Sequence, residues 1–255
     1  MRKKKRPSFS KSFLKIFIGL ALSIGITYFL VDYFASSPDV YYPGFQIAIP
    51  SGYLMRGIDV SRYQNIINWE SVKDMQDKDI KIGFAFIKAT EGTSIIDAQF
   101  RRNWRKAEEQ NIPKGAYHFF IASRSGKKQA SYFIEIVNLK KGDLPPVIDI
   151  EKTYGANVHE IKTGVAEWLE TIEKHYGVPP IIYTNINFYT NYLEQDFAKY
   201  PVWIAHYLQP KKPRLASKWA FWQHSEDGRV NGIASPVDFN VFSGDSLEFQ
   251  NLLMR

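Results

Sequence analysis

From residue 56 onward, short apolar runs alternate with stretches whose apolar residues recur at helical spacing. RGIDV (56–60) reads as a strand, and NWESVKDMQ reads as a helix opening at Asn68. IGFAFIKA (82–89) is a second strand, followed by a helical stretch over 97–110. Pro113 and Gly115 bracket the entry to a third strand, GAYHFFI, and residues 125–137 repeat Ala130, Phe133, Ile134 and Val137 at helical intervals. A fourth strand spans 144–150. The helix over 158–175 puts Ile161, Val165, Trp168, Leu169 and Ile172 on one face, and a fifth strand covers 178–184. Then the rhythm changes: PVWIAHY, WAFWQHS and VDFNVF read as strands joined by short polar connections without helices. Alternating strands and helices imply right-handed βαβ units and a parallel sheet. The pattern therefore predicts an α/β fold, a modified TIM-like barrel of five βα units and three terminal β strands.

The N-terminal fifth has a different pattern. An apolar run from Phe13 to Val31 is interrupted only by Lys15. About twenty apolar residues span a bilayer as a helix, so a transmembrane signal anchor is expected over 13–35. The basic cluster in residues 1–12 would be its cytoplasmic tail, leaving everything after the helix outside the cytoplasm. A cleaved signal peptide competes with this reading, with secretion as its consequence. Its apolar region is usually about 7–15 residues and ends in a small-x-small site; here Tyr33 stands where a small residue belongs before Ala35. Residues 36–55, with three prolines and two glycines, read as a linker, and 56–255 as the barrel domain.

Charge refines this division. The net charge is +7, but seven of the 33 Lys and Arg residues lie before residue 56 against two of the 26 acidic ones. The remaining domain is nearly neutral, which argues against a nucleic-acid partner. There is no cysteine, which excludes a disulfide framework, a Cys-ligated metal and a lipidated N-terminal cysteine. The five histidines show no HExxH or other metal spacing, and no metal or organic cofactor is expected; His118 and His206 read as hydrogen-bonded structural residues. GxSxG, P-loop and GxGxxG motifs are absent.

The strongest chemical signal is PPVIDIE (145–151), an apolar strand running into Asp149 and Glu151. Residues two apart on a strand point to the same side, and the C-terminal strand ends of such barrels hold reacting groups. Two carboxylates so close resist joint ionisation, so one is expected to stay protonated and serve as a general acid. Alone, Asp-x-Glu is a common pair that a surface position or a helix cap also explains. Asp59, ending the first strand, and Asp238, in the last, would converge on the same mouth if the barrel closes. Tyr63, Tyr117, Tyr183, Trp203, Tyr207 and Trp222, near strand ends, offer faces and polar tips suited to sugar rings.

In order, GIDVSRYQ, FAFIKATEG, GAYHFF, PPVIDIE, IIYTN, VWIAHY, and FWQHS with VDFNVF resemble glycoside hydrolase family 25, the lysozyme-like N-acetylmuramidases, across residues 56–243. The resemblance implies the same barrel of five βα units and three terminal strands. It implies hydrolysis of the β-1,4 bond from N-acetylmuramic acid to N-acetylglucosamine in peptidoglycan. Glu151 would be the proton donor, Asp149 would orient the substrate acetamido group or stabilise developing positive charge, and Asp59 and Asp238 would complete the acidic floor. Two other readings stay open: a non-catalytic envelope protein that binds glycan strands, and a glycosidase on another N-acetylhexosamine polymer. Expected partners are the glycan strands and, through the N-terminal helix, the membrane.

Overall fold

The computed structural model describes residues 17–27, 39–207, 209, 212–215 and 217–255. The chain divides into two units, Met1–Pro38 and Asp39–Arg255. In the first, residues 17–27 are helical. They form part of the span expected over 13–35; the rest of that span and the basic tail lie outside the described residues. Among the described residues, no helix is long and apolar enough to cross a membrane.

The second unit is an eight-stranded barrel. Its strands are β1 (Arg56–Val60), β2 (Phe84–Glu91), β3 (Lys114–Phe119), β4 (Val147–Asp149), β5 (Ile181–Asn185), β6 (Val202–Ala205), β7 (Phe221–Gly228) and β8 (Val237–Phe242). Strands β1 to β7 pair in parallel in chain order. Strand β8 enters antiparallel to both β7 and β1 and closes the ring. Helices follow each of the first five strands: α1 (Trp69–Asp74), α2 (Phe100–Glu109), α3 (Gly126–Ile136), α4 (Val158–Tyr176) and a stretch over 186–197 containing a π turn at Tyr189–Leu193. Five βα units followed by three strands joined without helices are what the periodicity predicts; the short helix over 246–252, after the last strand, is additional. The first helix is shorter than NWESVKDMQ implies, because the chain turns extended at Met75.

Local signals set the helix limits. Asn157 and Glu160 form a capping box at the start of α4, satisfying amides that have no partner in the first turn. Gly177, at φ 73°, supplies the left-handed residue that ends it. Between these limits Ile161, Val165, Trp168, Leu169 and Ile172 are fully buried. Each such side chain contributes about 1.5–3 kcal/mol when buried, so packing more than propensity holds α4.

Alternation along the strands sorts the core into two shells. Phe84, Phe86, Val147, Ile181, Trp203 and Phe221 fill the barrel interior, and Phe249 joins them from α5 (Ser246–Leu252). Their neighbours Ala85, Ile87, Ile148, Ile182, Ile204 and Trp222 face outward into the second shell. The interior is tightly aromatic: Phe86 stacks on Trp203 at 4.3 Å and meets Phe221 edge-on at 5.1 Å. Glycine makes room for this. A Cβ on Gly57 would collide with the Phe84 ring, and one on Gly115 would lie 2.7 Å from Phe86.

The expected linker over 36–55 needs correction. From Asp39 the chain belongs to the barrel unit, and Val40–Tyr42 pairs with Ile47–Ile49 in an antiparallel hairpin. Phe45, at its turn, is fully buried 5.1 Å from Phe239 of β8, and Tyr53 packs against Trp219 and Trp222. The physical reason is that the apolar outer faces of β7 and β8 have no helix of their own. The hairpin covers them, and the Pro/Gly content that marks a linker here marks its turns. Phe45→Ala should therefore destabilise the fold by about 3–5 kcal/mol in urea unfolding. Tyr41→Ala, on the exposed side of the same hairpin, should change stability by no more than about 0.5 kcal/mol.

Candidate active site

The parallel strands point their C-terminal ends at one mouth of the barrel, and antiparallel β8 brings its N-terminal end there. Asp59 on β1 and Asp238 on β8 are register partners. Asp149 ends β4, and Glu151 follows two residues on. All four carboxylates line one cleft of ≈ 200 Å³, and each of the eight strands contributes to its wall. Tyr117, Tyr183 and Trp203 line it as expected, and Tyr63, 69% exposed, stands at its rim.

Tyr207 stands one side chain from the acids: its hydroxyl donates at 2.6 Å to Gln223 Oε1, which also accepts from Tyr183 and whose Nε2 donates to Asp59. One expected binding aromatic, Trp222, does not reach the site. It is fully buried on the outer face of β7, where Nε1 donates to the His206 carbonyl at 2.8 Å. Strand parity explains this: Phe221 and Gln223 point inward, so Trp222 points outward.

Asp59 is the centre of a buried hydrogen-bond network. Its Oδ2 accepts from Gln223 Nε2 at 2.9 Å and from Asn240 Nδ2 at 2.8 Å. Neither amide can turn around. Gln223 Oε1 already accepts from the Tyr183 hydroxyl at 2.8 Å and from Tyr207, and Asn240 Oδ1 accepts from Trp203 Nε1 at 2.8 Å. Reversing either amide would set its oxygen against the Asp59 carboxylate, acceptor against acceptor, and for Asn240 would also face its NH2 with the indole N–H. Gln223 and Asn240 are the main members of this network that reading the sequence for chemistry misses. For Asn240 the available signal was parity with Asp238, two residues before it on the same strand; for Gln223 parity pointed the wrong way, because its neighbour Trp222 was expected at the site.

The network decides where protons sit. Burial pushes the Asp59 carboxyl up to about 6, while the hydrogen bonds from Asn240 and Gln223 hold it down. Asp238 has no such amide pair; burial, followed by the charge of Asp59, pushes it up to about 9. Near neutral pH, Asp238 therefore carries a proton and donates it to Asp59. Asp149 is likewise pushed well above the usual carboxylate range, first by burial and then by the charge of Glu151, to which it is hydrogen-bonded. The opposing pull comes from Lys88, which pairs with Glu91 at 2.7 Å and lies 4.6 Å over the Phe119 ring. Asp149 Oδ1 is buried with no hydrogen-bond partner in the protein.

The histidines stand apart from this chemistry. His118 lies between Thr90 Oγ1, 2.7 Å from Nδ1, and Gln129 Oε1, 3.2 Å from Nε2. Burial lowers it to about 3, so it is neutral and structural. His206 Nδ1 accepts from the Arg214 amide at 3.3 Å. Among the described residues, no group of three or more His, Asp or Glu side chains is arranged to hold a metal ion.

Residues 58–233 match the family model described as glycosyl hydrolases family 25. The chain is 45% identical over 206 residues to Escherichia coli YegX, covering 81% of this chain and 76% of that protein. It is 35% identical over 207 residues to lysozyme M1 of Streptomyces globisporus, covering 75% of this chain and 69% of the relative. The solved structure of a family 25 glycosyl hydrolase from Bacillus anthracis superposes with a TM-score of 0.72 at 32% identity, covering 81% of this chain and 96% of the other.

The carboxylates and the buried histidines act oppositely on stability. Asp59 and Asp238 bind protons more tightly when folded, so their contribution is complete below about pH 4 and is lost as pH rises through about 6 and about 9. Buried His118 and His224, both lowered to about 3, reduce stability as pH falls below their unfolded value of about 6.5. Above about pH 6.5 the histidines no longer contribute to the slope, and melting temperature should fall steadily toward pH 9. Asp238→Asn keeps a donor for Asp59 without a titrating group and should flatten that decline. Equal slopes for the two proteins would contradict the proton assignment.

Proposed function

The chain belongs to glycosyl hydrolases family 25, and we propose that it cuts the β-1,4 bond between N-acetylmuramic acid and N-acetylglucosamine with the Asp149–Glu151 pair. At the level of reaction class the protein is a lysozyme, a muramidase acting on peptidoglycan. The observation that carries the finer reading is the hydrogen-bonded contact between Asp149, deeply buried at a strand end, and the more accessible Glu151 two residues on.

Glycoside hydrolysis needs a proton for the leaving oxygen and negative charge near the anomeric carbon as positive charge develops. Asp149 holds a proton against Glu151 before substrate binds. Shifting it along that hydrogen bond loads Glu151, which gives it to the glycosidic oxygen as the bond to the anomeric carbon breaks. Asp149 is then a carboxylate, and its otherwise unpartnered Oδ1 is free to accept the substrate acetamido N–H. Ionised Asp59 supplies further negative charge beneath the sugar, held in place by Gln223 and Asn240. Water completes the hydrolysis. Tyr63, Tyr117, Tyr183 and Trp203 are assigned to sugar contact on the strength of their positions around the cleft.

We place the catalytic unit outside the cytoplasm, anchored through residues 13–35. This rests on the apolar run after a basic tail in the amino-acid sequence.

Muropeptide release from purified peptidoglycan, read by mass spectrometry, tests the proposal. The wild type should release products with reducing-end N-acetylmuramic acid. Glu151→Gln should lower the rate by about 10²–10⁴-fold, the usual contribution of a positioned acid. Reducing-end N-acetylglucosamine would move the cleavage to the other bond. Full activity in Glu151→Gln would leave a different group as the acid. Gln223→Leu removes one donor from Asp59 and should shift the acid limb of the pH–rate profile upward, because Asp59 then needs a higher pH to ionise.

A further inference from the structure

The connections that follow β3 and β4 leave the catalytic cleft together and then separate. The first departs from Phe119 and the second from Glu151, both of which line the cleft. Between them, on the flank of the site, lies a second and larger groove of ≈ 530 Å³. Tyr154 belongs to its wall and also packs edge-on against Phe119, with 6.4 Å between ring centroids. It is three residues from Glu151, at most about 11 Å along the chain. Tyr154 is held at φ 49° and Gly155 at φ 81°, a left-handed pair that a tyrosine enters only when its surroundings require it.

Small residues and a few charges make up the groove. Ala122, Gly126, Ala156 and Gly164 keep it open, and a Cβ on Gly126 would run into the Gly164 carbonyl where α3 and α4 meet. Arg124 is exposed, its guanidinium lies over Gly92, and it forms no ion pair among the described residues. Glu160 and Glu167 use Oε2 to accept from the backbone amides of Asn157 and Lys127, at 2.8 and 3.1 Å. The other oxygen of each has no hydrogen-bond partner among the described residues. The groove thus offers methyl-sized space, one uncommitted cation and two half-used carboxylates, beside a site for sugars.

We propose that this groove is a subsite for the peptide stem of the substrate, with Arg124 pairing with a stem carboxylate. The assignment rests on the muramidase reading and deepens it. Peptidoglycan carries, on the lactyl ether of each muramyl sugar, a short peptide of alanine, an acidic residue and usually a diamino acid. Alanine methyls fit the small-residue floor, the acidic residue fits Arg124, and the amino group of the diamino acid fits Glu160 and Glu167. Phe119 of the cleft and Tyr154 of the groove pack on each other, so the two spaces are separated by a single aromatic contact.

The test compares two substrates with the full-length chain: intact peptidoglycan, and the same glycan after an amidase has removed its stems. Arg124→Glu should lower kcat/KM on intact peptidoglycan about tenfold or more, mainly through KM. Thr163→Trp, which fills the groove from the exposed face of α4, should do the same. On stripped glycan both variants should match the wild type, and the wild type should lose its preference for the intact polymer. Equal losses on both substrates, or no loss on either, would overturn the subsite. A wild type inactive on both would overturn the muramidase reading and the subsite with it.

Discussion

The antiparallel entry of β8 between β7 and β1 is the constraint on which the site depends. A parallel eighth strand would have required another crossover and would have presented its C-terminal end at the mouth. Running the other way, β8 places Asp238 directly across from Asp59 and sets Asn240 on the same inward face, two residues deeper. One strand thus supplies both a proton-bearing partner for Asp59 and one of the amides that keeps Asp59 ionised. The second amide, Gln223, comes from β7, the other neighbour of the closing strand. Closure of the barrel and polarisation of its acidic floor are the same structural event.

That arrangement has requirements elsewhere. A network of buried polar groups persists in a low-dielectric interior only when every donor finds an acceptor. The aromatic interior meets this condition at its upper edge, where Trp203 and Tyr183 turn their polar atoms to Asn240 and Gln223 while their rings join the packing below. On the outside, the strands that lack helices still present apolar surface. The N-terminal hairpin covers it, so residues before the first barrel strand help hold the strands that carry Gln223 and Asp238.

Much of this was legible in the sequence, and the failures have physical causes. Strand and helix order followed from the change of period from two to 3.6 and back, and the loss of helices after β5 was visible as short polar connections. The four carboxylates were found because each sits at a strand end in chain order, a property of topology. Trp222 was misplaced because closeness to a strand end says nothing about which face a residue occupies; neighbouring Gln223 took the inward position. The hairpin was read as a linker because its prolines and glycines were weighed above the apolar positions Tyr42, Phe45, Ile47 and Ile49, whose burial requires the folded barrel. The proton assignment could not be read from the sequence. The distinction between Asp59 and Asp238 arises from donors contributed by residues 164 and 181 positions away.

The acids are unequally anchored. Asp59 terminates a chain of donors, so its loss would strand two buried amides and disturb the packing they hold. Glu151 sits beyond the end of its strand and is hydrogen-bonded to Asp149. A substitution at position 59 is therefore felt throughout the barrel interior, whereas one at position 151 leaves the buried amides and their partners in place. Folding stability constrains the floor of the cleft more tightly than its lip.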